Sequence, residues 1–299
     1  MKQSRFCLVV LGLSVCFPAY STESQVTQLE EKVTESFGFL NVTEREFNLP
    51  TSSGNVSASV YSDTQNKGGW VFLQHGFFRN KKNMKDLATK LAQMGYPVVT
   101  VSLNTSQIHD GTLAENLLNS ILTNPPAEIG ENNKSNYILM GHSAGAKFVT
   151  QMTSIAVKKG MTTPQALIWL DGVDRDKVME TALVTIREQS QIDVMGISGK
   201  AGACNANTAA NDLLKQLKPA VSFVGVKVNS GSHCDAEGSS SDFGCSLACG
   251  GSKPANVEAL QILAKGWVGT FLSKESGTTY FPGGESFETL KKAGTIESL

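Results

Sequence analysis

Two hydrophobic periodicities take turns along most of this chain. Residues 41–49, NVTEREFNL, alternate, and after the turn PTSSGN the run VSASVY at 56–61 alternates again, which predicts an antiparallel hairpin. Trp70 to Leu73 is an unbroken apolar run between glycines, the pattern of a strand buried on both faces. Residues 81–95 then place Met84, Leu87, Ala88, Leu91 and Met94 on one helical face and end on Gly95, a common helix stop. Further helices are predicted over 111–126, 146–160, 176–189, 208–217 and 256–272, and strands over 96–103, 136–140, 165–171, 192–198 and 220–228. This rhythm implies an α/β fold: a mainly parallel central sheet with an antiparallel N-terminal hairpin and helices on both faces. About 20 residues separate the 165–171 strand from the next, too few for a large inserted lid. Residues 274–299 keep Tyr280, Phe281, Phe287 and Leu290 among glycines and threonines, and are expected to pack on the domain as a C-terminal extension.

The first residues break the rhythm. Lys2 and Arg5 precede an apolar run from Cys7 to Phe17, and Ala19-Tyr20-Ser21 supplies small residues, so 1–21 reads as a signal peptide and 22–299 as a single mature domain. A membrane span needs about 20 apolar residues, and no segment of the chain is that long. Lipid anchoring at Cys16 is a minor alternative, opposed by Val15 where a small residue is expected. Residues 23–33 have helical spacing. Export to the periplasm or the medium changes how the cysteines read. Cys204, Cys234, Cys245 and Cys249 remain in the mature chain, an even number in an oxidising compartment, which favours two disulfides. Cys204 with Cys234 and Cys245 with Cys249 is the favoured pairing, because the first would tie two loops at one end of the sheet. No two of the four form a C-x-x-C pair, which argues against zinc.

Composition excludes more than it identifies. Lys and Arg number 26 against 27 Asp and Glu, and no basic stripe stands out, so nucleic acid is not an expected partner.

Functional groups in an open parallel sheet collect at the carboxyl ends of its strands. Gly141-His142-Ser143-Ala144-Gly145 follows the apolar run YILM and opens a helix, the setting in which G-x-S-x-G places a nucleophilic serine on a sharp strand-to-helix turn. A serine hydroxyl needs a base to take its proton. His233, in the loop NSGSHCDAEG, is the only histidine after Ser143, and this elbow goes with the chain order Ser, acid, His. His75 and His109 precede the serine, and His142, its neighbour, points elsewhere. The usual position for the acid, 196–207, holds no Asp or Glu. Asp171, at the end of the strand after the nucleophile helix, fills an alternative position, with Asp174 as runner-up. Asp193, Glu188, Asp212, Asp235 and Glu237 are poorly placed for the role. Backbone N–H groups of Ala144 and Phe77 are the expected oxyanion donors, with Phe78 as the alternative to Phe77. Phe78, His75 and the loop 102–111 are candidate rim residues. This chemistry calls for no metal and no cofactor.

These segments resemble the α/β-hydrolase superfamily over nearly the whole mature chain, from 41 to about 272. GHSAG, LDGVD (170–174) and GSHCD (231–235) look like the branch that holds chlorophyllases, dienelactone hydrolases and platelet-activating-factor acetylhydrolases. A similar D-x-V-D segment carries the acid at its first Asp in chlorophyllases, which implies Asp171. The elbow departs from the chlorophyllase pattern, with Ala144-Gly145 in place of Arg-Gly, and from dienelactone hydrolases, whose nucleophile is Cys. The resemblance implies a carboxylic ester hydrolase; the signal segment makes it an exported one, and the short connection after the 165–171 strand, with no room for a large lid, suits a small or extended ester. Acyl transfer on the same fold, or a non-catalytic binding protein, are the rival expectations.

Overall fold

Consecutive residues of a strand face opposite sides, so a strand that is apolar throughout must be covered twice. Trp70 and Phe72 enter one core together with Tyr137, Leu139, Val99 and Val101, while Val71 and Leu73 enter the other with Ile138, Met140 and Val98. The computed structural model describes residues 5–10, 13–18, 41–52, 54–218, 221, 223–273 and 277–299, in two units, Met1–Asn41 and Val42–Leu299. In the first unit, β1 (Arg5–Val10) and β2 (Leu13–Pro18) pair antiparallel. The rest of the expected signal segment, and the helix expected at 23–33, lie outside the described residues.

The second unit is built on a nine-stranded sheet. Its hairpin is β3 (Thr43–Thr51) and β4 (Gly54–Ser62), followed by β5 (Trp70–Gln74), β6 (Val98–Val101), β7 (Tyr137–His142), β8 (Ala166–Leu170), β9 (Asp193–Ser198), β10 (Gly225–Val228) and β11 (Ile296–Ser298). The order across the sheet is β11-β10-β9-β8-β7-β5-β6-β4-β3. The six strands from β10 to β6 run parallel, and β4, β3 and β11 are antiparallel to their neighbours.

Helices α1 (Lys85–Ala92), α7 (Pro254–Ser273) and α8 (Glu285–Lys292) cover one face. The other carries α2 (Gly111–Thr123), α3 (Ala144–Lys159), α4 (Val178–Gln189) and α5 (Ala209–Lys215). Three local features depart from the periodicity. The strand expected over 220–228 spans only Gly225–Val228. The C-terminal extension adds α8 and the edge strand β11 to the sheet. A seven-residue helix α6 (Phe243–Cys249), which has a single buried residue, Cys245, stands above the sheet's carboxyl end. Among the described residues no helix is long and apolar enough to cross a membrane.

Candidate active site

Three non-glycine residues at strand ends have left-handed backbone: Phe78 after β5 (φ 55°), Ser143 after β7 (φ 57°) and Asp171 after β8 (φ 47°). Such conformations cost about 1–3 kcal/mol each and persist where the surrounding structure enforces them. At Ser143 the enforcement is visible: its N–H donates to the carbonyl of Leu170, and its own carbonyl accepts from Ala146 and Val173. The turn also needs bare backbone around it. A β-carbon at Gly145 would overlap the carbonyl oxygens of Gln74 and His75, and one at Gly76 would overlap the Ser143 side chain. A β-carbon at Gly141 would likewise overlap the Gly145 carbonyl, so packing demands both glycines of the G-x-S-x-G spacing and Gly76 besides.

The strand ends bring Ser143, His233 and Asp171 into one line. Ser143 Oγ lies 2.9 Å from His233 Nε2, and His233 Nδ1 lies 2.6 Å from Asp171 Oδ2. All three are buried. Asp171 Oδ1 accepts the N–H of Gly199 at 2.9 Å and the side-chain amide of Asn205 at 3.1 Å. The Asn205 amide also reaches Oδ2 at 3.2 Å, so both oxygens are held, and Oδ2 makes the shorter contact with the imidazole. Asn205 comes from the segment 196–207, so the stretch without a carboxylate of its own supplies a donor to Asp171 instead. Asp174, the runner-up, faces away: its two oxygens accept the N–H groups of Val178 and Glu180 at the start of α4.

Two further histidines frame this line. His75 was expected at the rim, but only 1% of it is exposed. Its Nδ1 donates to the Gly76 carbonyl and its Nε2 accepts the N–H of Leu103, so it ties the loop after β5 to the loop after β6 and does not line the cleft. Burial pushes its pKa down to about 4, which keeps the ring neutral. His142 lies beneath His233, their ring centres 4.7 Å apart, and its Nε2 donates to the His233 carbonyl at 2.9 Å. Burial holds His142 well below the ordinary histidine range, with the nearby His233 acting in the same direction. His109 lies in the loop after β6, where its ring packs edge-on against Phe77 at 5.6 Å.

A partly buried ion pair that motif reading missed joins the two sides of the site. The guanidinium of Arg79, on the loop after β5, makes a two-pronged contact of 2.6 and 2.5 Å with Glu237, four residues past His233. Glu237 is fully buried, and burial raises its pKa although Arg79 opposes the rise. Sequence separation of 158 residues hides such a pair; an arginine just after a strand-end loop was the available signal. Phe77 and Ala144, the expected oxyanion donors, both border the serine: Phe77 lines the cleft, and Ala144 is the first residue of α3, where an N–H has no intrahelical acceptor.

The cleft over Ser143 has a volume of about 420 Å³. One wall is Gly76 to Arg79 and the other is α6, through Gly244, Cys245, Ala248 and Cys249. The loop 102–111 stays out of this lining, with Leu103 and Ile108 buried in the core. The disulfides differ from the expected pairing: Cys204 joins Cys249, and Cys234 joins Cys245. The reason is the unforeseen helix. Cys245 and Cys249 stand one turn apart on α6, where side chains four apart have Cβ atoms about 5–6 Å apart, beyond the roughly 3.5–4.5 Å that a disulfide spans. Each therefore bonds outward, to the loop after β9 and to the residue after His233. The two bridges pack side by side, with the sulfurs of Cys234, Cys245 and Cys249 within 4.8 Å of one another. As disulfides these sulfurs offer no thiolate to a metal.

No family model matches the chain, and no curated protein matches it by sequence. Solved structures do. Carboxyl esterase 2 from the mycorrhizal fungus Tuber melanosporum superposes with a TM-score of 0.58 at 15% identity, over 77% of this chain and 86% of that one. Dienelactone hydrolase from Anabaena variabilis ATCC 29413 superposes with a TM-score of 0.57 at 18% identity, over 77% of this chain and 99% of that one. Strand order, the turn at Ser143 and these superpositions agree: the chain has the α/β-hydrolase fold.

Proposed function

We propose that the protein is an exported serine hydrolase that cleaves carboxylic esters through Ser143, His233 and Asp171. The observation that carries this reading is the line Asp171–His233–Ser143, at 2.6 and 2.9 Å, on three different strand ends and beside a cleft. In this mechanism Ser143 Oγ attacks the ester carbonyl while His233 Nε2 takes its proton. Asp171 keeps the imidazole proton on Nδ1 and stabilises the ring once it is charged. The N–H groups of Ala144 and Phe77 receive the negative oxygen of the tetrahedral intermediate. His233 then protonates the departing alcohol, and an acyl-enzyme remains on Ser143. Water, losing its proton to His233, releases the acid and restores the serine. Export follows from the signal-like residues 1–21, which leaves 22–299 as the mature domain, and the two disulfides fit an oxidising compartment.

A fluorophosphonate probe tests the reading directly. Wild type is expected to be labelled and Ser143→Ala not. Failure of the wild type to react, beside a serine esterase that does, defeats it.

A further inference from the structure

Burying an ammonium group costs free energy unless it is paired and hydrogen-bonded. Lys147 is such a group, one turn after Ser143 on α3, with its side chain only 4% exposed. Its Nζ donates to His109 Nδ1 at 2.5 Å and to Asp176 Oδ2 at 2.8 Å. Burial works to raise the Asp176 carboxyl, but contacts led by that from Lys147 outweigh it and hold the group below its ordinary range. His109 lies on the loop after β6 and Asp176 on the loop after β8, so one buried cation ties both loops to the helix that starts at the nucleophile. The hydrolytic steps above make no use of it.

For Nδ1 of His109 to accept, it must carry no proton, which puts the ring proton on Nε2. The accepting lone pair lies in the ring plane, so the contact with Lys147 sets that plane. The ring meets Phe77 edge-on, with centres 5.6 Å apart. Phe77 is half-buried and rests on the core by one side. Its other aromatic neighbour, Phe78, is 84% exposed and has little of its own to lean on. His109 is therefore the anchored ring against Phe77.

The Phe77 N–H has no protein acceptor among the described residues, the condition for a donor kept for a substrate oxygen. A peptide unit is planar, so its N–H points opposite to its carbonyl. The carbonyl of this unit, that of Gly76, accepts from His75 Nδ1 at 2.7 Å, which sets the tilt of the plane at one end. The other end is the Cα of Phe77, and the side chain holds it.

We propose that Lys147 and His109 are positioning residues for the oxyanion donor: Lys147 fixes the His109 ring, and that ring fixes Phe77, whose N–H receives the negative oxygen. This rests on the hydrolase reading above. His109→Asn keeps an acceptor for Lys147 and removes the ring; His109 is exposed, so folding is retained. Lys147→Met keeps the ring and removes what holds it. A whole oxyanion donor is worth about 10²–10³ in kcat, and a displaced one loses part of that. Each variant is expected to lower kcat by about tenfold with KM within about twofold of wild type. The double variant is expected to lose no more than the worse single one, because both act through one contact. A trifluoromethyl ketone, whose hemiketal oxygen takes the oxyanion's place, should bind each variant more weakly by the factor lost in kcat/KM, which a loss of stability alone does not produce. His109→Asn with kcat within about twofold of wild type, or with its whole loss in KM, overturns the proposal. Fluorophosphonate labelling separates the two levels. Wild type that labels, beside variants that hydrolyse as it does, loses the positioning role alone, whereas wild type that neither labels nor hydrolyses loses both.

Discussion

Replacing Asp171 by Asn makes a sharp test because the surrounding donors dictate how the new amide must sit. Oδ1 of Asp171 accepts the Gly199 N–H, a group that can only donate, while the Asn205 side-chain NH₂ is shared between Oδ1 and Oδ2. An amide nitrogen there would set donor against donor, so the carbonyl oxygen of the new Asn must take that position. Its NH₂ group then replaces Oδ2, 2.6 Å from His233 Nδ1. A donor at that point requires Nδ1 to accept, which moves the ring proton to Nε2 and aims it at Ser143 Oγ. The imidazole is then unable to take the serine's proton. The wrong tautomer costs about 10⁴ in kcat, or about 5 kcal/mol in the barrier. The assay is steady-state hydrolysis of p-nitrophenyl butyrate with near-UV circular dichroism as a check on folding. Asp174→Asn is the control: its oxygens accept the N–H groups of Val178 and Glu180 and touch neither His233 nor Ser143, so the amide gives up one of these bonds at a cost of about 1 kcal/mol in stability while the rate is kept. If Asp171→Asn keeps more than a tenth of the rate while Asp174→Asn loses it, the assignment of the acid is wrong.

Two other outcomes are expected. His75 has its folded pKa depressed to about 4 from an ordinary value of 6.5, so the unfolded chain binds the extra proton and the native state loses stability as pH falls from 6.5 through 4. That difference is worth about 3 kcal/mol at 1.36 kcal/mol per pKa unit, and the buried His142 acts in the same direction; urea unfolding from pH 7 to 4 should show the fall, and a flat profile would contradict it. Cys204→Ser/Cys249→Ser opens a loop of 45 residues, for which chain entropy predicts a loss of about 4 kcal/mol. The urea midpoint measures it, and a loss below about 1 kcal/mol would mean that the unfolded chain is not constrained by this bridge.

The order of elements, the turn at Ser143 and the convergence of His233 and Asp171 on that serine were legible because each depends on local signals. Periodicity tells which faces are apolar, glycines at 141 and 145 announce a sharp turn, and elimination among four histidines and a few carboxylates needs only chain order. What failed was decided through space. His75 carries the same chemistry wherever it sits, and only packing reveals that both of its nitrogens are engaged in the interior. The pairing of the cysteines turned on α6, a helix too short to declare itself by periodicity. The edge strand β11, three residues long, exists because β10 presents free backbone groups to it. The contact of Arg79 with Glu237 and that of Asn205 with Asp171 join residues 158 and 34 apart. The sequence by itself determined an alternating α/β chain with a serine at a strained turn and a histidine and a carboxylate at later strand ends. Only the tertiary structure decided which donors hold that carboxylate, which helix walls the cleft and how the sulfurs pair, because those depend on distances between segments that no local pattern encodes.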